Sequence, residues 1–268
     1  MTTQIKTFIK YPGGKSRMIE PILARLPKSD YFTDVFCGGG SIAIAYAQRF
    51  PDAMIQMNDF DIFTYSMWKV LVSGSDGDVA KLFKLVRQTP TIVLFKKNRE
   101  LMSSEDLITR AYLGIFFHKC TFSGMFNGSP IGGFEQKSKW KVGCHYNSDN
   151  LIRKMTRVRE LLRGRTVITN MDFRNLTLKG VVYLDPPYVS VGDKLYAAPF
   201  NEKDHRDLRE YIKNLKADWL LSYNDHPLVR ELYSDCKIES LDHTMTMSSF
   251  CTDKKCKVKK ELLISKFE

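Results

Sequence analysis

The chain has 268 residues, 43% of them hydrophobic and 26% charged, with a net charge of +11. These proportions suit a folded protein of one large domain, or one domain carrying an insertion, and no apolar run is long enough to span a bilayer. The basic surplus favours a polyanionic partner, because each neutralised phosphate releases counterions, and no long amphipathic helix sets a bulky apolar face beside it for a membrane surface.

The first segment, FIKYPGGKSRMIEPILARLP, is a loop enforced by Pro12, Gly13 and Gly14. An apolar pattern follows through Met18, Ile19, Ile22, Leu23 and Leu26, with Pro21 placed to start or kink a helix. In YFTDVFCGGGSIAIAYAQRF, residues 31–36 predict a short strand, 38–40 a tight turn and 41–50 a helix packed through Ile42, Ala45 and Tyr46. AMIQMND predicts a second strand closing on Asn58 and Asp59. Strand, glycine turn, helix, strand and acid open an α/β sheet.

From residue 62 to about 164 the apolar residues recur at helical spacing, in DIFTYSMWKVLVSG, DVAKLFKLVRQ and SSEDLITRAYLGIFFHK. Ser103 and Asp106 have the spacing of a capping box before the third of these. A glycine-rich loop leads into SDNLIRKMTRVRELLRG, where Leu151, Met155, Val158 and Leu162 form one stripe and Gly164 is the expected stop. RTVITNMDF, VVYLDPPY, ADWLLSYND, CKIESL and KVKKELLISKF then predict further strands, with helices over 202–215 and 227–233. The last strand alternates, which suits an antiparallel position. A mostly helical insertion, residues 60–164, is expected inside a sheet domain of residues 1–59 and 165–268.

Cysteines at 37, 120, 144, 236, 251 and 256 are irregularly spaced, as in reduced cytosolic thiols. Cys251 and Cys256, with His243 or Cys120, offer the best zinc pairing, but no second pair accompanies them and no metal is expected. No N-terminal stretch has the make-up of a secretory signal, so a cytoplasmic location is expected.

Three stretches carry chemistry. In DVFCGGGS the turn after a strand lets backbone amides at a helix N-terminus approach a ligand, and Asp59 ends the next strand where a ribose would be held. That suits a nucleoside-containing cofactor; an ordinary strand-to-helix junction has the same pattern. The missing third glycine of G-x-G-x-x-G argues against a nicotinamide cofactor. In KYPGGK two glycines allow Tyr11 and Lys15 to fold onto one ligand. In DPPY, Asp185 ends a strand, Pro186 and Pro187 hold the chain extended, and Tyr188 supplies a flat face. A carboxylate and a backbone carbonyl together accept both hydrogens of an NH2 on a planar ring, while the tyrosine stacks on that ring. The nitrogen then pyramidalises and frees its lone pair for an electrophilic methyl.

In ordered array, KYPGGK, DVFCGGGS, MND, DPPY, LLSYND and SSFCTDKKCKVKKELLISKF resemble the motifs of Dam-type DNA adenine-N6 methyltransferases over nearly the whole chain. The resemblance implies a Rossmann-like sheet that binds S-adenosylmethionine. Tyr11, Gly13, Lys15, Asp59 and Asp185 would contact the cofactor, and Asp34, Phe36, Gly38 and Gly40 would shape its pocket. It implies catalysis by Asp185, Pro186, Pro187 and Tyr188 on an adenine flipped out of duplex DNA, with residues 60–164 recognising the target. It also implies a cytoplasmic enzyme of a bacterium or a phage-infected one. Dam-type enzymes carry an asparagine and an arginine around the loop that here reads TFSGMFNGSPIGGF. Ser123 and Met125 stand there instead, and Asn127 is the nearest side chain able to read a base edge. A different or relaxed target is therefore expected, with phosphate contacts from Lys137, Lys139, Lys141, Arg153, Lys254, Lys255 and Lys257. An N4-cytosine or RNA methyltransferase would use the same DPPY chemistry. A dinucleotide oxidoreductase leaves DPPY unexplained, and a non-catalytic nucleic-acid-binding protein explains the charge alone.

Overall fold

The structure, a computed structural model, describes residues 4–189, 200–244 and 258–266. Its strands are β1 Tyr31–Asp34, β2 Met54–Asn58, β3 Thr166–Thr169, β4 Val181–Leu184, β5 Trp219–Asn224, β6 Lys237–Thr244 and β7 Val258–Ser265. They form one sheet in the order β3-β2-β1-β4-β5-β7-β6. The first five are parallel, and β7 runs antiparallel between β5 and β6, as its alternation predicts. The strand order reverses between β1 and β4, so the loops leaving these two strands part and open a crevice at their carboxyl ends.

Period-2 side-chain alternation distributes the central strands between two apolar clusters. Phe32, Tyr183, Leu220 and Leu263 face one cluster; Val182, Leu184, Leu221, Leu262 and Ile264 face the other. Because helices cover both faces, β4 is buried at every residue and reads as an unbroken apolar run.

The described helices are α1 Ile19–Leu23, α2 Ser41–Arg49, α3 Ile62–Trp68, α4 Asp76–Val86, α5 Ile92–Glu100, α6 Leu107–Cys120, α7 Ser148–Leu162, α8 Glu202–Lys213 and α9 Pro227–Leu232. None of them is long and apolar enough to cross a membrane. Leu208 and Ile212 of α8 and Val229 of α9 cover the second cluster. Helix α2 covers the first, joined by Met67 and Trp68 of α3 and the whole predicted stripe of α7, so these two inserted helices share the core of β1 and β2. Gly164, at φ +80°, follows the end of α7.

Two local expectations change. The box at Ser103 and Asp106 does not form: Asp106 is itself the N-cap and accepts from the Thr109 N–H at 2.7 Å, while Ser103 ends a 3-10 turn. A carboxylate directly before the first helical residue caps it without help from upstream. Reciprocal boxes form instead at Ser75 with Asp78 on α4 and at Asn201 with Asp204 on α8. Helix α5 is not announced by periodicity, because its apolar residues are consecutive and Val93 stays 78% exposed. After α3 the chain widens into one π turn, Lys69–Ser73, and buried Arg159 of α7 donates to the carbonyls of Leu71 at 2.6 Å and Gly74 at 2.9 Å. That bond pair satisfies carbonyls released by the irregular turn.

Candidate active site

The crevice is lined from β1, β2, β3 and β4 and from the KYPGGK loop. Two glycines of the turn after β1 have positive φ, Gly38 at +43° and Gly40 at +67°. A Cβ at Gly38 would stand 2.6 Å from the Tyr11 ring, and one at Gly40 would stand 2.5 Å from the Trp68 ring. The turn is thus gripped between two aromatic side chains, with Trp68 Nε1 donating to Gly38 O at 2.8 Å. This brings Tyr11, 27 positions upstream of Gly38, onto the turn, as folding of both stretches onto one ligand requires.

Asp59 lies at the end of β2. Its Oδ2 accepts from Gly38 N at 2.8 Å and its Oδ1 from Asp61 N at 2.9 Å. Oδ2 thus holds the glycine turn and Oδ1 the start of α3, and each keeps a lone pair for a ligand. Burial pushes the carboxyl up to about 7, with the Asp61 charge adding and the two N–H donors opposing. Asp34, at the end of β1, is buried and its Oδ1 has no hydrogen-bond partner. Burial raises its pKa well above the usual range, and the charges of Asp185 and Asp59 add to the effect.

At the end of β4, Lys15 Nζ donates to Asp185 Oδ1 at 2.6 Å and Oδ2 at 2.7 Å. Ser222 Oγ on β5 donates to Asp185 Oδ1 at 2.9 Å, and the Tyr183 hydroxyl lies 2.8 Å from that Oγ. Lys15 is only 6% exposed. Burial alone would lower its pKa, but Asp185 and Glu261 outweigh it and keep the ammonium charged. Tyr188 stands beside them, its ring centroid 4.9 Å from Lys15 Nζ and its hydroxyl donating to Glu261 of β7. Pro186 is buried; Pro187 is half-buried and lines the crevice with Asp185.

The remaining candidates divide. Phe36, Gly13, Gly38, Asp34, Asp59 and Asp185 line one crevice with Tyr11 and Lys15, while Gly40 acts from behind through Trp68. Ser123 sits at φ +56° in a 3-10 turn, and Asn127 is exposed on the loop that follows. Neither lines the crevice, although Phe126 of the same loop does. Lys137, Lys139, Lys141 and Arg153 are exposed on the loop and on α7. Lys254, Lys255 and Lys257, and with them Cys251 and Cys256, lie outside the described residues. Among the described residues no group of three His, Cys, Asp or Glu could hold a metal ion.

Sequence reasoning missed several crevice residues. Phe60 is 58% exposed beside Asp59, and Met171, Asp172 and Phe173 follow β3. Their signal was position alone, one step past a strand whose carboxyl end faces the crevice. Glu261, missed as well, stands beside Lys15 and had a clearer signal: an acid immediately before the apolar run LLI in the last strand.

The family model of D12 class N6 adenine-specific DNA methyltransferases matches residues 11–247. The chain belongs to that family. This adenine methyltransferase is similar to the Type II methyltransferase M.CviBI of Paramecium bursaria Chlorella virus NC1A, with 21% identity over 236 residues, 85% of this chain and 86% of that protein. Similarity to the Type II methyltransferase M1.LlaDCHI of Lactococcus lactis subsp. cremoris is 22% over 263 residues, 90% and 89% of the two chains. The DNA adenine methylase of Salmonella typhi is 21% identical over 253 residues, 91% of this chain and 90% of its own. The Dam-type resemblance, the Rossmann-like α/β sheet and methylation of adenine N6 in DNA thus hold for this chain.

Proposed function

We propose that this adenine methyltransferase takes its methyl group from S-adenosylmethionine bound in the crevice and delivers it to an adenine flipped against Tyr188. The carrying observation is that Asp185 lines the crevice that also holds Asp34 and Asp59, while its partner Lys15 Nζ stands 4.9 Å from the centroid of the Tyr188 ring just beyond β4. Six aspartates line it against Lys15 and Arg174, a surplus of acids that suits a cationic ligand, and Asp34 Oδ1 is a buried acceptor without a hydrogen-bond partner. The residues therefore fit the cofactor. Asp34 and Asp59 would hold its amino and ribose groups, with Tyr11 and Phe60 against its apolar surface. Bound there, the cofactor supplies an electrophilic methyl group.

The chain's own residues do the rest. Asp185 and the carbonyls beside it accept the hydrogens of adenine N6, Tyr188 stacks on the ring, and the proton released from N6 passes to the Asp185 carboxylate and on to solvent. Flipping is required because N6 is unreachable in the stacked duplex.

Asp59 makes the cofactor's binding pH-dependent. Its carboxyl is raised to about 7, and a ribose hydroxyl donates more strongly to the ionised form. Binding of S-adenosylmethionine should therefore tighten, by up to about tenfold, from pH 6 to pH 8, and Asp59→Asn should flatten the profile. Titration calorimetry at three pH values checks this; a wild-type profile as flat as the variant's removes Asp59 from the ribose.

We further propose that residues 60–164 carry target recognition, with Ser123 and Asn127 near the bases and Lys137, Lys139, Lys141, Arg153, Lys254, Lys255 and Lys257 on phosphates. An arginine does reach this loop from α5, but Arg99 donates to Gly128 O at 2.7 Å and lies over the Phe117 ring, 3.9 Å from its centroid. It is thus engaged in holding the loop. Arginine-to-guanine reading is the commonest specific contact, so a relaxed target, or one other than GATC, is expected. Incubation with mixed-sequence DNA, nucleoside mass spectrometry and long-read mapping test it. Methylation confined to one four-base site overturns the relaxed version.

A further inference from the structure

Lys15 stands in the seat that the proposed mechanism gives to adenine N6. Its ammonium donates to both oxygens of Asp185, at 2.6 and 2.7 Å, lies 2.8 Å from the Tyr188 hydroxyl and 3.1 Å from Gly13 O, and stands 4.9 Å from the Tyr188 ring centroid. An amine that is to use the same carboxylate and the same ring has to displace it. A buried ammonium does not leave its counter-ion freely, because an unpaired charge in a low-dielectric site is costly.

Glu261 offers the way out. It lies opposite Asn224 in the β5–β7 register, which brings its carboxylate to the carboxyl end of β5, beside Asp185. It is buried, its Oε1 is 3.5 Å from Lys15 Nζ, and it accepts from the Tyr188 hydroxyl. We propose that Glu261 is a positioning residue that receives the Lys15 ammonium when adenine arrives, clearing Asp185 for the amine. The set of buried charges is unchanged throughout: one ammonium moves between two carboxylates, and the one it leaves accepts the N6 hydrogens. Its bond to Tyr188 meanwhile keeps the ring aligned for stacking. The inference rests on the reading of Asp185 and Tyr188 as the amine clamp.

The test uses the full chain and a duplex carrying its mapped target, with 2-aminopurine beside the target adenine and S-adenosylhomocysteine in place of the cofactor, so that extrusion of an adenine that keeps its N6 amine is read by fluorescence without methyl transfer. Glu261→Gln keeps volume and an acceptor for Tyr188 but removes the charge. It should lower the extrusion signal and kcat tenfold or more, while the Kd values for duplex and for S-adenosylmethionine stay within twofold. Glu261→Asp, which keeps the charge, should recover at least half of the signal. In a Lys15→Met background Glu261→Gln should change the signal less than twofold, since the ammonium it receives is gone. This last comparison carries no unpaired buried ammonium and remains readable if the single Gln variant folds poorly. Wild-type signal and kcat in Glu261→Gln overturn the proposal, as do multiplicative losses in the double variant or an Asp variant as impaired as the Gln one. Asp185→Ala in the same assays separates the two readings: normal turnover there sinks the clamp itself, whereas loss there with a normal Glu261→Gln sinks only the role of Glu261.

Discussion

Asp185→Ala is expected to lower methyl transfer about a thousandfold, the usual cost of removing one group aimed at charge developing in a transition state. Duplex binding should survive within a few fold, because the proposed phosphate contacts lie on other elements. The variant leaves Lys15 with Glu261 at 3.5 Å as its remaining carboxylate partner, so its fold has to be checked by thermal melting alongside the kinetics. Asp185→Asn keeps one acceptor oxygen and should retain more activity than the alanine. Single-turnover transfer to duplex DNA measures the chemical step directly. Near-normal turnover in Asp185→Ala would remove the carboxylate from the mechanism.

Gly40→Ala is expected to destabilise the whole chain, by about 2–5 kcal/mol. Two costs combine: roughly 1–2 kcal/mol for an L side chain held in the left-handed region, and about 1–3 kcal/mol for overpacking. The new Cβ would meet Trp68 at 2.5 Å and Met57 Cε at 3.0 Å. Trp68 is fully buried and tied by its indole N–H to Gly38 O, so it cannot give way as an exposed ring would. At about 2–4 °C per kcal/mol the melting point should fall by several degrees or more. An unchanged melting point would show that the turn can relax around the methyl. Because the same turn carries the Gly38 amide bonded to Asp59, binding of S-adenosylmethionine should weaken as well.

The sheet was legible before any coordinates because its strands carry local signals. VVYL is an apolar run closed by prolines, AMIQMND ends in an amide and an acid, and KVKKELLIS alternates toward its antiparallel place. Helix α7 was legible because Leu151, Met155, Val158 and Leu162 repeat at helical spacing and all four are buried. Helix α5 was not, since four adjacent apolar residues define no face. The α6 cap was misassigned for a related reason, as spacing alone cannot say which of two candidate oxygens meets the first free N–H groups.

The acid, prolines and aromatic of DPPY, the paired glycines and the basic surplus were written into the sequence, because each requires particular residue types at fixed local spacing. They sufficed to point to the family and to adenine N6. Only the fold brought Lys15 within 2.6 Å of Asp185, 170 positions away, and set Glu261 beside both from the last strand. Only the fold, too, turned Trp68 and Tyr11 into the walls that make Gly38 and Gly40 necessary. Contacts of that separation follow from strand order and register, in which a carboxylate on β7 reaches β4 across β5, and no window along the chain contains that information.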